Sequence, residues 1–354
     1  MTSKIAMIND THWGVRNDDQ NFSEYFKRFY EGVFFPTLRR QGISRIFHLG
    51  DIVDRRKYIN FASAKRLRED FIEMCVANGI ELHIILGNHD VFYKNTNDLN
   101  AMEELNVDKY PNVFVYKDAT EVMIDNLKVL LMPWICSGNY EHAMKAIETT
   151  DAQVLFGHLE LSGFAMYKGN VNDHGMSPKV FEKFDQVMTG HYHHKSSSGN
   201  INYLGAPYQM TWSDYGDVRG FHIYNTSNRI LEHVVNPFEM FHKVTYNDEG
   251  KSMEDVLIDC EPYRDNYVKL VVEKKTNPYW FDMLINKFEA AGVKDLKILD
   301  DGDKIDLDDD DFIDEAQDTL TILNGFIDQM DIKGNRQDLT ELLRDLYRDA
   351  ASSE

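Results

Sequence analysis

Leu49-Gly50-Asp51-Ile52-Val53-Asp54 closes an apolar run on a glycine and a carboxylate, and four further clusters repeat that arrangement along the 354-residue chain. They are Asp10-Thr11-His12, Gly87-Asn88-His89-Asp90, Gly157-His158 and Gly190-His191-Tyr192-His193. Each follows a short hydrophobic stretch that reads as a β-strand. Polar side chains are thereby delivered to strand C-terminal ends, where open α/β sheets gather their ligands. One such cluster is a weak signal. Five in this order are a strong one.

Working outward, the first 235 or so residues alternate strand and helix patterns. Strands are expected at 5–8, 43–49, 82–86, 113–116, 154–156, 187–188 and 201–204, with hairpins at 122–131 and 221–235. Phe22, Tyr25, Phe26, Phe29, Tyr30 and Val33 recur at helical spacing, and Pro36 is expected to kink or end that helix. Phe61, Ala64, Leu67, Phe71 and Cys75 mark a second helix with its stripe against the sheet. Crossover helices together with hairpins predict an α/β fold, a two-sheet sandwich flanked by helices, over 1–236. A small α/β module follows at 237–299, with strands at 267–272 and 295–299 and a helix at 279–291. An acidic linker is expected at 300–315, then a pair of amphipathic helices at 316–354. Their apolar faces carry Leu320, Leu323, Phe326 and Ile327, then Leu339, Leu342, Leu343 and Leu346.

Composition narrows the class. Hydrophobic content of 43% and charged content of 27% are those of an ordinary globular protein. No apolar run spans a bilayer, and a strand begins almost at Met1, so neither membrane insertion nor a signal peptide is expected and the cytoplasm is the expected location. Cys75, Cys136 and Cys260 are too few and too scattered for a disulfide framework or a thiolate metal site. The net charge of −21 is concentrated: Asp300 to Asp318 holds eleven acids and one lysine, a net of −10. A polyanionic partner therefore requires local basic residues or divalent ions.

The clusters supply the oxygen and nitrogen donors that a two-cation centre needs, with a carboxylate between the ions. Asp51 is the natural bridge. Asp10, His12 and His193 are expected to join it on one ion; Asn88, His158 and His191 on the other. With no thiolate, two Mn²⁺ ions are expected, Mg²⁺ being a substitute. Such a pair lowers the pKa of coordinated water and so supplies the nucleophile for phosphoester hydrolysis. His89 follows a ligand and is expected to face substrate as the acid for the leaving oxygen, with Asp90 holding it protonated. His48, His83, His194 and His233 fall outside the pattern and read as structural or solvent-exposed.

The ordered set D-x-H, G-D-x-x-D, G-N-H-D, G-H and G-H-x-H resembles the calcineurin-like metallophosphoesterases. Within them it is similar to the DNA double-strand-break repair nucleases to which bacterial SbcD belongs. Tyr203-Leu204-Gly205-Ala206-Pro207 and Asp217-Val218-Arg219-Gly220-Phe221 carry that likeness. Gly157 to Phe164, continuing through Tyr167-Lys168-Gly169 to His174-Gly175, resembles the T-even-type phage branch most strongly. The resemblance covers about residues 4–235. It implies a manganese-dependent DNA exo/endonuclease subunit acting on DNA ends in recombination and repair, with a capping domain after the nuclease core. It also implies that the C-terminal helix pair docks on the coiled-coil base of an SMC-like, SbcC-type ATPase; folding back on the core is the alternative. Homodimerisation is implied as well, and the aromatic helix at 22–34 can serve it or be buried in the core. One departure stands out: Asp54 occupies a position where the cellular members carry histidine, and it can orient a ligand or Arg55.

Two other readings compete. Gly50 to Arg55 also resembles the serine/threonine protein phosphatase motif, in which the arginine grips phosphate, although those enzymes lack the closing H-x-H pair. A DNA-end-tethering scaffold is the third reading, which the full ligand set disfavours. For DNA, the candidate phosphate contacts are Arg55, Arg56 and Lys57, backed by Lys65, Arg66 and Arg68, with Lys94, Lys168 and Lys195 near the other clusters.

Overall fold

The computed structural model describes residues 3–167, 170–173 and 175–300. Lys168, the acidic stretch past residue 300 and the helix pair expected at 316–354 lie outside them. Among the described residues the strands are β1 (Lys4–Ile8), β2 (Arg45–His48), β3 (Glu81–Ile85), β4 (Val113–Tyr116), β5 (Thr120–Ile124), β6 (Leu127–Met132), β7 (Val154–His158), β8 (Phe164–Tyr167), β9 (Asn170–Asn172), β10 (Gln186–Gly190), β11 (Ser196–Ser198), β12 (Ile201–Tyr203), β13 (Gly220–Asn225), β14 (Leu231–Val235), β15 (Phe241–Asn247), β16 (Tyr267–Lys274) and β17 (Asp295–Asp300).

Two six-stranded sheets form the body, in the orders β14-β13-β1-β2-β3-β4 and β11-β12-β10-β7-β6-β5. β1 to β4 run parallel, as do β12, β10, β7 and β6; the remaining pairs are antiparallel. The period-two alternation of side chains divides each strand between two cores. Ile5, Met7 and Phe47 of one sheet meet Val129, Val154, Phe156 and Met188 of the other. Their neighbours Ala6, Ile8 and Ile46 face a layer of helices instead, and Leu155 and Val187 face the helix Tyr140–Thr149 on the far side. Phe47 and Phe156 meet edge-to-face across the sandwich at 5.3 Å.

The aromatic helix does not end at Pro36, one of the two expected outcomes. Gln20–Phe29 is α-helical, Tyr30–Phe34 widens into a π-type turn, and Phe35–Gln41 continues the α-helix without ending at the proline. A proline ring clashes with the carbonyl four residues back and offers no N–H. Widening the turn, so that the Phe35 N–H bonds the Tyr30 carbonyl, accommodates both defects. The aromatic face of this helix lies in the core. Phe22, Phe26 and Phe29 are buried, and Phe22 packs on Phe241 and Tyr267 at 6.2 and 5.6 Å. In the second helical run, Leu67, Phe71 and Cys75 form the expected stripe, but Phe61 at its start is 94% exposed.

A third, parallel sheet β15-β16-β17 builds a core of its own with the helix Pro278–Ala291. Asn277 caps that helix by accepting from the Tyr279 and Trp280 amides, Pro278 fills its first position, and Gly292 ends it in the left-handed conformation. The sheet is tied to the body by the Gln209 side chain, whose Oε1 accepts from the Met240 and Phe241 amides at 2.8 and 3.0 Å. Among the described residues, no helix is long and apolar enough to cross a membrane.

Candidate metal centre

All five clusters converge at the C-terminal ends of β1, β2, β3, β7 and β10, and the backbone is bent to bring them there. Asp10, His12, Asp51 and His191 all hold positive φ, of 50°, 42°, 55° and 92°. For non-glycine residues such conformations cost about 1–3 kcal/mol each, and they persist where the surroundings dictate them. Two glycines make room: a Cβ on Gly87 would strike the Asp51 carboxylate, and one on Gly50, itself at φ 91°, would strike His158 Nδ1.

Asp10, His12 and His193 form one group and Asp51, His158 and His191 another, with the potential donor atoms of each within 4.8 Å of one another. In the first, Nε2 of His12 lies 3.0 Å from Nε2 of His193 and 3.9 Å from Asp51 Oδ2. In the second, Asn88 Oδ1 lies 3.0 Å from His158 Nε2 and 2.9 Å from His191 Nδ1, and Asp51 Oδ2 lies 3.3 Å from His158 Nε2. Donors bonded to one octahedral ion at ~2.1 Å stand about 3 Å apart along an edge, so these separations suit a shared cation. Asp51 Oδ2 is buried without a hydrogen-bond partner, while Oδ1 accepts from the His89 amide at 2.8 Å. The donor set and the orphaned oxygen between the groups both fit two divalent ions. The structure thus brings together every residue proposed from the sequence as a ligand.

His89 and Asp90 part company. The His89 Nδ1–H donates to the Asp54 carbonyl, leaving Nε2 buried with no hydrogen-bond partner. The ring stands edge-on to His12 at 5.0 Å. Asp90 does not hold that ring. Its Oδ2 accepts from the amides of Asp51 and Gly87 at 2.8 and 2.9 Å, and its Oδ1 from Ile52 and Val53 at 2.8 and 3.1 Å. The expected partnership fails because consecutive residues in this turn point opposite ways. Asp90 is instead the clasp between the loops after β2 and β3. Burial and the Asp51 charge push its carboxyl up to about 7, against the Gly87 and Val53 amides and His158, which pull it down.

The cluster's own electrostatics show how it handles protons. Burial pushes His12 down, but Asp54, Asp51 and Asp10 outweigh it and raise the imidazole to about 10. Burial likewise opposes His158, which Asp51 and Asp10 raise to about 9. Burial and the neighbouring imidazoles press His191 well below its ordinary range and His193 to about 3. Asp51, pushed up by burial, is held well down by His158, His89 and His12. Metal-stripped protein therefore carries protons on His12 and His158 where a cation needs lone pairs. Raised folded-state values stabilise the stripped fold below about pH 6.5 and lose that contribution as pH climbs through 9 to 10. Cation binding runs the other way, tightening over the same window and releasing about two protons per chain near pH 7.5. Calorimetry in buffers of different ionisation heat reads that number. No release, or affinity that falls as pH rises, contradicts the assignment.

Several residues of the site receive no role from the sequence, although Gly205, Asp217 and Arg219 lie in the stretches that carry the family likeness. Asn9 Nδ2 donates to Asp10 Oδ2 at 2.5 Å and to the Gly205 carbonyl at 3.1 Å. Buried Arg219 donates to the His193 carbonyl and pairs with Asp214 at 2.6 Å and Asp217 at 3.1 Å. Trp134, half-buried after β6, stands 5.3 Å from the His191 ring. Of the histidines outside the pattern, His48 is buried beside Thr11 Oγ1 at 3.0 Å, and burial drives it to about 3. His194 pairs with Asp217 at 2.8 Å, His83 stacks between Phe47 and Phe114, and His233 stacks on His222.

The basic residues are less available than their spacing suggests. Arg55 donates to Asp18 at 3.1 Å and to Asn17 at 2.6 Å, which ties its guanidinium to the loop after β1. Arg66 pairs with Glu24 and Asp70, Lys65 with Glu69, and Arg68 with Glu69 and Glu73. That neutralises the second half of the expected basic cluster. Arg56 and Lys57 line a cleft of about 300 Å³ with Tyr58, Ile59 and Phe92, and Lys94 and Lys195 are exposed.

Comparison with known proteins agrees with this geometry. The calcineurin-like phosphoesterase family model matches residues 3–195. Over 360 aligned residues the chain is 32% identical to exonuclease subunit 1 of Enterobacteria phage T4, covering 98% of this chain and 99% of that protein. Over 253 residues it is 25% identical to the SbcD subunit of nuclease SbcCD from Staphylococcus saprophyticus, covering 64% and 66% respectively. Such a family works with divalent metal ions, and the two groups around Asp51 are suited to hold them. With its two-sheet body and five clusters, the chain belongs to the calcineurin-like phosphoesterase family and is a metal-dependent phosphoester hydrolase.

Proposed function

We propose that this chain is the nuclease subunit of a DNA recombination and repair complex, hydrolysing phosphodiester bonds with two Mn²⁺ ions, Mg²⁺ serving as a substitute. The observation that carries the reading is Asp51 Oδ2, a buried, unpartnered oxygen 3.9 Å from His12 and 3.3 Å from His158, one imidazole of each group. Asp10, His12, Asp51 and His193 would hold one ion, and Asp51, Asn88, His158 and His191 the other. When bound, the pair supplies Lewis-acid activation of a water and neutralises phosphate charge. The preference for manganese follows from an all oxygen and nitrogen donor set. Names of relatives support the substrate: one is a subunit of an exonuclease, the other a subunit of a nuclease.

The protein's own groups do the rest. With Nδ1–H committed to the Asp54 carbonyl, His89 presents only Nε2 to substrate. Burial lowers its pKa, and an approaching phosphodiester anion favours the imidazolium, which then gives its Nε2 proton to the leaving oxygen. The phosphomonoesterase alternative rested on Arg55 gripping phosphate, and the ties of Arg55 to Asp18 and Asn17 weigh against it. Arg56, Lys57, Lys94, Lys168 and Lys195 remain the candidates for contact with the DNA backbone, and the third sheet for the capping domain.

The test is nucleotide release from end-labelled linear duplex DNA with Mn²⁺. Metal-dependent release supports the nuclease reading; no release alongside rapid phosphopeptide hydrolysis replaces it with the phosphatase one. The C-terminal pair, with Leu320, Leu323, Phe326, Ile327, Leu339, Leu342, Leu343 and Leu346, is proposed to dock on an SbcC-type ATPase. Deleting residues 316–354 is expected to abolish co-purification with that ATPase while metal content stays intact, and unchanged co-purification refutes docking.

A further inference from the structure

Asp54 joins three parts of the site. Its N–H donates to the carbonyl of Trp13 at 3.1 Å, one residue beyond His12. Its own carbonyl accepts from Nδ1 of His89. Its carboxylate places Oδ1 3.4 Å from Nδ1 of His12, an ion-pair contact between side chains only 12% and 2% exposed. The other ring nitrogen of His12 is the one that meets His193 at 3.0 Å and Asp51 at 3.9 Å. The other carboxylate oxygen, Oδ2, stands 3.9 Å from Arg55 Nε, while Asp18 and Asn17 hold the two terminal nitrogens of that guanidinium.

The second group is built differently. His158, the imidazole on the other side of Asp51, backs its Nδ1 onto the Leu49 carbonyl at 2.7 Å. One flanking imidazole therefore has a charged carboxylate behind it and the other a neutral amide oxygen. The Leu49 carbonyl acts by a hydrogen bond and Asp54 by its charge across 3.4 Å; each favours a proton on the near nitrogen and turns the lone pair of the far nitrogen toward the cluster. Only the carboxylate adds charge, which makes the far nitrogen a stronger donor; such outer partners are worth about 10–100-fold in metal affinity.

We propose that the Asp54 carboxylate is the positioning residue of the Asp10, His12 and His193 group, holding the ring and tautomer of His12 so that this group binds its cation more firmly than a neutral partner would allow. The inference rests on the two-cation reading of the site. It makes the two cation sites chemically unequal although they share Asp51.

The test titrates Mn²⁺ into the metal-stripped full-length chain and reads both affinities calorimetrically. Wild type is expected to take two ions. Asp54→Asn, nearly isosteric, is expected to weaken one site about 10–100-fold and to leave the other within about twofold. Asp54→Glu keeps the carboxylate and is expected to stay nearer wild type. On a His12→Ala background the effect of Asp54→Asn on that site should shrink to about twofold or less, because the ring it acts through is gone. Unchanged affinities in Asp54→Asn, equal loss at both sites, or a full effect persisting without the His12 ring overturns the proposal. A wild-type chain that takes fewer than two ions overturns the two-cation reading instead, before any variant is compared.

Discussion

Asp51→Asn is expected to abolish hydrolysis and to empty the metal centre, whereas His89→Ala keeps both ions and loses only rate. Asp51 is the residue whose oxygen lies within reach of both groups, and its other oxygen anchors the His89 amide. An asparagine there removes the negative charge and turns an NH₂ either toward the cations or toward the His89 N–H. His89 sits differently: its Nδ1 is committed to the Asp54 carbonyl and its Nε2 touches no ligand by hydrogen bond. Its removal therefore costs the proton delivered to the leaving group, about 10²–10⁴-fold in rate. Elemental analysis of both variants beside their rates separates the two failures. Metal missing from His89→Ala would mean that the imidazole is a ligand.

Asp90→Asn is expected to be the most destabilising single-atom exchange in the site. Both carboxylate oxygens accept from backbone, four amides in all, and the surrounding residues Asp51, Asn88 and Val53 are all fully buried. An asparagine accepts with one oxygen and faces two of those N–H groups with its own NH₂. Stranded buried donors cost about 1–3 kcal/mol each, so about 2–6 kcal/mol is expected for the two, read as a large fall in Tm of the metal-stripped protein. Metal uptake falls too, because the loop carrying Asp51 loses its clasp. A Tm within about 2 °C of wild type would show that the loops after β2 and β3 hold without Asp90.

Much of the site is legible in the sequence because its residues lie at strand ends, where chain position and spatial direction are coupled. A two-residue spacing past a strand puts Asp10 beside His12, and His191 near His193, and the first loop also meets the last through the His191 amide on Asp10. The role of Asp90 is not legible, because adjacency in a turn says nothing of direction. Three of its four amide partners lie on another loop, 39, 38 and 37 residues away. Arg219 sits in a stretch that carries the family likeness, but its partner is not legible: its bond to the His193 carbonyl spans 26 residues and follows no spacing rule. In the fold, alternation reveals the central strands. It does not reveal β15, where exposed Lys243 and Thr245 interrupt the apolar residues and the buried Phe241 and Tyr246 join different cores. Pro36 does not end its helix because the preceding turn widens at Tyr30–Phe34, where Phe34 packs on Phe71 and Phe221.

The most direct measurement is hydrolysis of linear duplex DNA as Mn²⁺ is added by equivalents to metal-stripped chain. Two sites sharing Asp51 predict little cleavage after the first equivalent, a steep rise with the second, and none at any concentration for Asp51→Asn. Full cleavage at one equivalent, or cleavage indifferent to metal, would contradict a two-cation nuclease.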